Sequence, residues 1–258
     1  MNVIIKTQDD IQKIQQAVAI WKKIRALIIE HCRPGISLLE LNDLARNAIL
    51  AYNAKPTFYG MYGFSKDICI SVNDCVIHGV PNNYVLKDKD LVSFDIGVTY
   101  LEHVCDAAFS VVIGNNPQAE KIKFACEQSL KEVAKIIKPG TTNLEIAKCI
   151  QDYIHNQGYF ILKDFTGHGC GNQLHEDPAF PNYVDKRFPV VKLQENMVFC
   201  LEPMIMTGSN DYYIADNGWD VMAVNKQLTC HCEDMFLVTK DGCVVLTQDD
   251  NNQCFKHN

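Results

Sequence analysis

No stretch of this 258-residue chain comes near the eighteen or so uncharged apolar residues that a helix needs to cross a bilayer. Its first residues, "MNVIIKTQDDIQKIQQAVAIWKK", lack the basic n-region, apolar h-region and small-residue cleavage site of an export signal. Positive charge is not in excess either. The formal net charge is −7, which argues against a nucleic-acid footprint or a polybasic membrane patch. No low-complexity linker divides the chain, and no CxxC pair occurs among its 12 cysteines. These absences lead to the expectation of a cytoplasmic protein with no membrane and no stable nucleic-acid partner. What is present is ordinary globular material: 47% hydrophobic and 21% charged residues, enough to bury a sizeable core.

The cysteines are scattered, and most stand where Val, Ile or Ala would fit, as in "ICISV" and "MVFCLEP". Without export they read as buried small hydrophobes rather than disulfide partners. In "CHCE", Cys230 and Cys232 share one strand face at period two, but no second cysteine pair completes a zinc ligand set.

Periodicity and caps give the organisation. A helix is expected over 8–33, stopped before Pro34 and Gly35, and a second one after Ser37, with Glu40 three residues on as its box partner. Strands follow near 68–72, 91–98 and 104–113. A third helix spans 117–137 and a fourth begins after Thr142, with Glu145 in the box position and Gly158 as the stop. The remainder is β-rich. "PGISLLELNDLARNAIL" and "PGTTNLEIAKCIQDYI" share a layout, which predicts an internal duplication with halves of roughly 35–115 and 139–247. The whole is one α+β domain, 1–258, rather than a solenoid.

Five polar residues occupy places that are costly if idle. Asp95 and Asp106 lie in the apolar arms of one expected hairpin, whose turn centres between Tyr100 and Leu101 if the two acids face each other. Like charges directly across a strand pair are destabilising, and leaving them buried and unpaired costs several kcal/mol per charge, on the order given for buried ions. Glu202 closes the strand "MVFCLEP", Glu233 precedes the run "DMFLVT", and His168 sits between glycines in "TGHGCG". A divalent metal pair gives all five a purpose, because cations turn repelling carboxylates into shared ligands. An oxygen-rich set with one imidazole suits Mn, Fe, Co or Zn, and two such ions activate a water for hydrolysis. His78, in "SVNDCVIHGVP", and His175, in "GNQLHEDP", are natural donors to a carbonyl oxygen or oxyanion beside such a site.

Those blocks, with "VSFDIGVTYLEHVCDAAFS" and "GHGCGNQLHEDP", agree in order and spacing across nearly the whole chain. The sequence resembles the type I methionine aminopeptidases of the pita-bread (creatinase-like) fold. That resemblance implies two pseudo-symmetric halves, an antiparallel sheet core covered by helices, and removal of the N-terminal methionine from peptides and nascent proteins. It implies two divalent ions, with Asp106 and Glu233 bridging, Asp95 on one ion, and His168 with Glu202 on the other. Glu202 would also carry the proton from the attacking water to the leaving amine, and His78 and His175 would contact the substrate. The methionine pocket falls on Phe58, Met61, Phe64, Cys69, Leu174 and Trp219, a thioether-compatible set. A monomer with transient ribosome association is the family-level expectation.

Departures from the family pattern are Ser65 for proline, Cys170 for an aliphatic residue, Leu174 for an aromatic, Leu101-Glu102 without the turn glycine, and Asp234 for histidine. Thiols Cys170, Cys200 and Cys232, each close to an expected ligand, suggest oxidation sensitivity. Two other readings stand beside this one: an exopeptidase of the same fold that cleaves before proline, and a non-catalytic binding protein on the same scaffold.

Overall fold

The computed structural model describes residues 2–249 and 254–256, the last three by backbone only. The side chain of Cys254 therefore lies outside the described residues. Four long helices carry the outside of the molecule: α1 (Gln8–His31), α2 (Leu38–Ala51), α3 (Pro117–Ala134) and α4 (Asn143–Asn156). Each begins where a side chain can satisfy the free N–H groups of a first turn. Thr7 with Asp10, Ser37 with Glu40 and Thr142 with Glu145 form reciprocal capping boxes, and Asn116 caps α3, which has proline in its first turn. Helix α3 ends at Ala134, short of the expected 137, because its last turn tightens: Ile136 N–H donates to Val133 at 3.0 Å.

The chain repeats its bonding ahead of α2 and α4. Gly35 N–H donates to Leu86 O at 2.9 Å, and Gly140 N–H to Leu193 O at 2.9 Å. Leu86 N–H returns to Ile36 O and Leu193 N–H to Thr141 O, both at 2.8 Å. Ser37 and Thr142, the two caps, form isolated antiparallel bridges to Val85 and Lys192.

Between the helices lie antiparallel sheets. Strand Leu91–Tyr100 pairs with Cys69–Val72, Lys55–Pro56 and His103–Val112. A six-stranded sheet runs Cys254–Lys256, Gly242–Val245, Asp234–Thr239, Val198–Leu201, Thr166–Gly169 and Glu176–Pro181 in spatial order. Two three-stranded sheets complete the layer. One apolar core lies between α1, α2 and the 91–112 hairpin, with Ile14, Ile24, Leu41 and Phe94 fully buried. Another lies between α3, α4 and the six-stranded sheet, around Ile122, Ile150, Phe199 and Phe236. Burial of such side chains contributes roughly 1.5–3 kcal/mol each. Among the described residues no helix is long and apolar enough to cross a membrane.

The expected hairpin is present, but its register corrects the sequence reading. Tyr100 pairs with His103, so the turn is Leu101-Glu102, one residue later than expected. Both turn residues are left-handed, with φ of 49° and 60°, the backbone of a two-residue hairpin turn whose twist matches its strands. Asp95 therefore faces Ala108, and Asp106 faces Gly97. The acids are diagonal neighbours, and moving the turn by one residue shifts partners by two, which keeps both on one face.

The N-terminal arm is tied to the far half. Val3 bridges Asp177, and Lys6, with its side chain wholly buried, forms an ion pair with Glu176. Glu176 also accepts from the backbone N–H groups of Asn172 and Gln173, at 2.7 and 2.9 Å. It thus holds the loop that presents Leu174 and His175.

Candidate active site

A cleft of about 210 Å³ opens between the two halves, and every residue expected to bind metal, contact substrate or form the methionine pocket lines it. The hairpin supplies Asp95 and Asp106. His168 comes from strand Thr166–Gly169, which lies between its neighbours because its glycines have no Cβ. A Cβ on Gly167 would stand 2.3 Å from Cys200 O, and one on Gly169 would stand 2.6 Å from Asp177 O. His168 pairs with Cys200, and Cys200 pairs on its other side with Met235. Glu202 follows the end of strand Val198–Leu201. Glu233 is held where its backbone exchanges two hydrogen bonds with Ala108, at 2.8 and 3.3 Å.

These groups converge. Asp106, His168 and Glu233 offer donor atoms within 4.8 Å of one another. His168 Nε2 stands 3.7 Å from both Asp106 Oδ2 and Glu202 Oε1. His168 Nδ1 faces Gly169 O at 3.0 Å, which leaves Nε2 toward the acids. Asp95 Oδ1, Asp106 Oδ1 and Glu233 Oε1 are buried without a hydrogen-bond partner.

The electrostatics follow from that crowding. Burial, then the neighbouring carboxylates, pushes Asp95 and Glu233 well above the usual carboxylate range. Burial first and Glu202 second raise Asp106 to about 8, and burial raises Glu202 to about 8. Four acids that resist ionising together, with orphaned oxygens facing one space, are a set that divalent cations fit. A cation would satisfy those oxygens and offset the mutual repulsion. Asp106 and Glu233 are the inner pair in space, each 4% exposed or less.

The imidazoles are neutral around pH 7. Desolvation lowers His78 and His168 to about 4 and lowers His175 as well. His78 has a left-handed backbone, φ 57°, a conformation uncommon outside glycine and often found at functional positions. His175 meets His168 edge-to-face at 4.5 Å.

The rest of the wall is apolar. Phe58, Phe64, Cys69 and Leu174 are buried, and Met61 and Trp219 close the cleft beside them. Phe64 packs on Trp219 at 5.0 Å, edge to face. Cys69 is the cross-strand partner of Asp95, so the apolar wall begins directly beside the acids.

Two residues escaped the sequence reading. Tyr62, 80% exposed, stands at the rim and stacks over His175 at 6.3 Å. His231 is buried behind Glu202, with Nε2 3.6 Å from Glu202 Oε2 and no hydrogen-bond partner. Its position two residues before Glu233 was the available signal, since period two puts both on one face. The departures from the family pattern mostly miss the cleft. Ser65 is exposed, and Asp234 turns to Thr247 and Gln248, accepting at 2.7 and 2.8 Å. Cys170 and Cys200 are buried beneath His168, within 4.8 Å of it, and do not line the cleft.

Comparison with known proteins agrees with this geometry. A methionine aminopeptidase of Mycoplasma genitalium is 37% identical over 251 residues, covering 95% of this chain and 99% of its own. One from Helicobacter pylori strain J99 is 35% identical over 252 residues, covering 96% and 100%. The crystal structure of methionine aminopeptidase from Rickettsia prowazekii superposes with a TM-score of 0.92 at 30% identity, covering 96% of this chain and all of that one. An X-Pro aminopeptidase from Thermotoga maritima shares the fold, at a TM-score of 0.75 and 21% identity, but this chain covers only 63% of its length. The pita-bread architecture expected from the sequence is thus the observed one. The profile of metallopeptidase family M24 matches residues 12–240, and the chain with its cleft of converging acids belongs to that family.

Proposed function

We propose that this protein is a methionine aminopeptidase, hydrolysing the first peptide bond of chains that begin with methionine. The observation that carries the reading is the meeting of two surfaces in one cleft: four crowded carboxylates with a histidine, and an apolar wall of Phe58, Met61, Phe64, Cys69, Leu174 and Trp219. Two divalent cations, Mn, Fe, Co or Zn, would be held by Asp95, Asp106, His168, Glu202 and Glu233. Bound there, they supply Lewis acidity and a water acidic enough to ionise near neutral pH.

The chain's own groups do the rest. Glu202, at the end of its strand and facing the cleft, accepts the proton of the attacking water and returns it to the leaving amine. His78 and His175, neutral at pH 7, donate N–H to the carbonyl oxygen as negative charge develops on it. His231 lies on the far side of Glu202, Nε2 3.6 Å from Oε2, where burial keeps its imidazole neutral and so adds no charge beside the carboxylate. The thioether side chain enters between Phe64, Trp219 and Met61, where sulfur–aromatic contact and exclusion of water favour it. We read residues 1–258 as one catalytic unit built of two related halves, roughly 35–115 and 139–247. The substrate class implies a cytoplasmic monomer that meets nascent chains transiently at the ribosome.

The test is amino-acid release from Met-Ala-Ser, Leu-Ala-Ser and Ala-Pro-Ser with Mn or Co added. Free methionine alone, abolished by chelator, is the expected result. Alanine released from the proline peptide would transfer the site to proline-directed hydrolysis. No release under any metal would remove the catalytic reading.

A further inference from the structure

Behind the catalytic acids the fold gathers a second set of soft donors. Cys126 of α3 reaches Cys230 and Cys232, and the three thiol sulfurs lie within 4.8 Å of one another. Cys230 Sγ and Cys232 Sγ are 3.9 Å apart. All three residues are buried. We propose that Cys126, Cys230 and Cys232 form a separate binding site for a thiophilic d10 cation, Cu(I) or Zn(II), distinct from the catalytic pair.

The spacing suits such an ion. A metal–sulfur bond of about 2.3 Å puts sulfurs roughly 3.8 Å apart around a tetrahedral centre and about 4.0 Å apart around a trigonal one. The chemistry suits it too, because three sulfurs with no imidazole or carboxylate among them select soft metals over Mn or Mg. The surrounding contacts already hold the thiols in place. Cys126 Sγ donates to Pro203 O at 3.1 Å, and Cys230 Sγ to Ser110 Oγ at 3.2 Å. Ser110 itself donates to His231 O at 2.9 Å and bonds Ser93 at 2.8 Å, which fixes the oxygen that holds the Cys230 thiol.

Access comes from a second cavity, about 180 Å³, that Cys232 lines together with Glu127 and Lys131. Lys131 is exposed on α3, and this approach to Cys232 is a cavity other than the catalytic cleft, with Glu233 lining both. Binding displaces the three thiol protons, and Lys123 and Glu127 beside Cys232 are already paired with each other at 2.9 Å. The site borders the catalytic centre along three stretches of chain. Cys232 precedes Glu233, Pro203 follows Glu202, and Ser110 lies on the arm that carries Asp106. It does not depend on which peptide bond the enzyme cuts.

The test is titration with Cd(II) of the full-length protein kept in excess Mn(II), followed by the ultraviolet sulfur-to-cadmium charge-transfer band. One tight equivalent with the intensity of three Cd–S bonds is expected. Cys126→Ser should weaken that binding on the order of 100-fold, while Cys170→Ser leaves it unchanged. Should Cys126→Ser fail to fold, Cys230→Ser provides the same comparison. Cadmium NMR of the wild type reads the ligand set directly, with a three-sulfur shift expected. A band lost in Cys170→Ser and kept in Cys126→Ser would put the ion beneath His168 and overturn the proposal. So would absence of any tight equivalent.

Discussion

The two halves of the cleft are built by opposite strategies. The first contributes Asp95 and Asp106 from a single hairpin, where a two-residue turn and ten cross-strand pairs fix both acids. The second gathers His168, Glu202 and Glu233 from three stretches and relies on long-range pairing. Cys200 is the shared point, because it faces His168 on one side and Met235 on the other. A local device supplies two of the five converging groups, and a non-local one supplies the geometry between them. The site therefore reports on the folding of the whole chain.

That contrast can be broken first at the acids. Asp106→Asn and Glu233→Gln should each cut methionine release by about a thousandfold or more, since each removes an inner carboxylate from the set proposed to hold the water-activating ions. Equal losses and equal loss of bound metal by mass spectrometry would show that the halves act as a unit. A large difference would give one half the greater share. Next comes the oxyanion side. His78→Ala and His175→Ala should lower kcat on the order of 100-fold with smaller effect on KM, as read in steady-state assays.

Stripping the metal exposes the charge crowding that the two halves share. Asp106 and Glu202 have folded values near 8, well above those of an unfolded chain. The folded protein thus holds more protons than the unfolded one, and stability falls as pH rises. Between roughly 4 and 6.5 the lowered histidines act in the opposite sense, gaining stability with pH. Above 6.5 the carboxylates stand alone. The metal-free protein should then lose on the order of 1–2 kcal/mol between pH 6.5 and 8, and saturating metal should flatten the slope in thermal melts. An apo Tm that rises over this window would contradict the crowding.

Smaller effects sharpen the local half. Leu101→Asn with Glu102→Gly places residues tolerant of left-handed φ in the turn and should stabilise the hairpin by about 1 kcal/mol with kcat/KM unchanged. Finally, Ser37→Ala and Thr142→Ala remove equivalent caps, each at a cost of about 1 kcal/mol. Matching denaturant midpoints would mark the two helix starts as equivalent in energy as well as in bonding.

Much of this was legible in the chain. A carboxylate inside an apolar run is conspicuous because its burial is costly, so Asp95, Asp106, Glu202 and Glu233 stood out one by one. Capping boxes are local, and those of Ser37 with Glu40 and Thr142 with Glu145 sit where their spacing put them. The register of the hairpin was less visible. Turn conformation at Leu101 and Glu102, neither of them glycine, decided it against the simplest symmetric count. The third thiol was hidden for a different reason. Cys126 lies on a helix 104 residues before Cys230, and no local period connects them. His231 was overlooked although period two, already applied to its cysteine neighbours, would have brought it to the face of Glu233.

The buried pair between Lys6 and Glu176 has a practical corollary for anyone handling this protein. The first residues of the chain are a wedge behind the His175 loop, and pulling the wedge out leaves Glu176 enclosed without its counter-ion, a loss of about 3–5 kcal/mol in comparable cases. Affinity tags and protease trimming belong at the other end. A preparation clipped after residue 6 or 7 would keep its metals and its hairpin, yet turn over slowly because a slackened loop no longer presents His175.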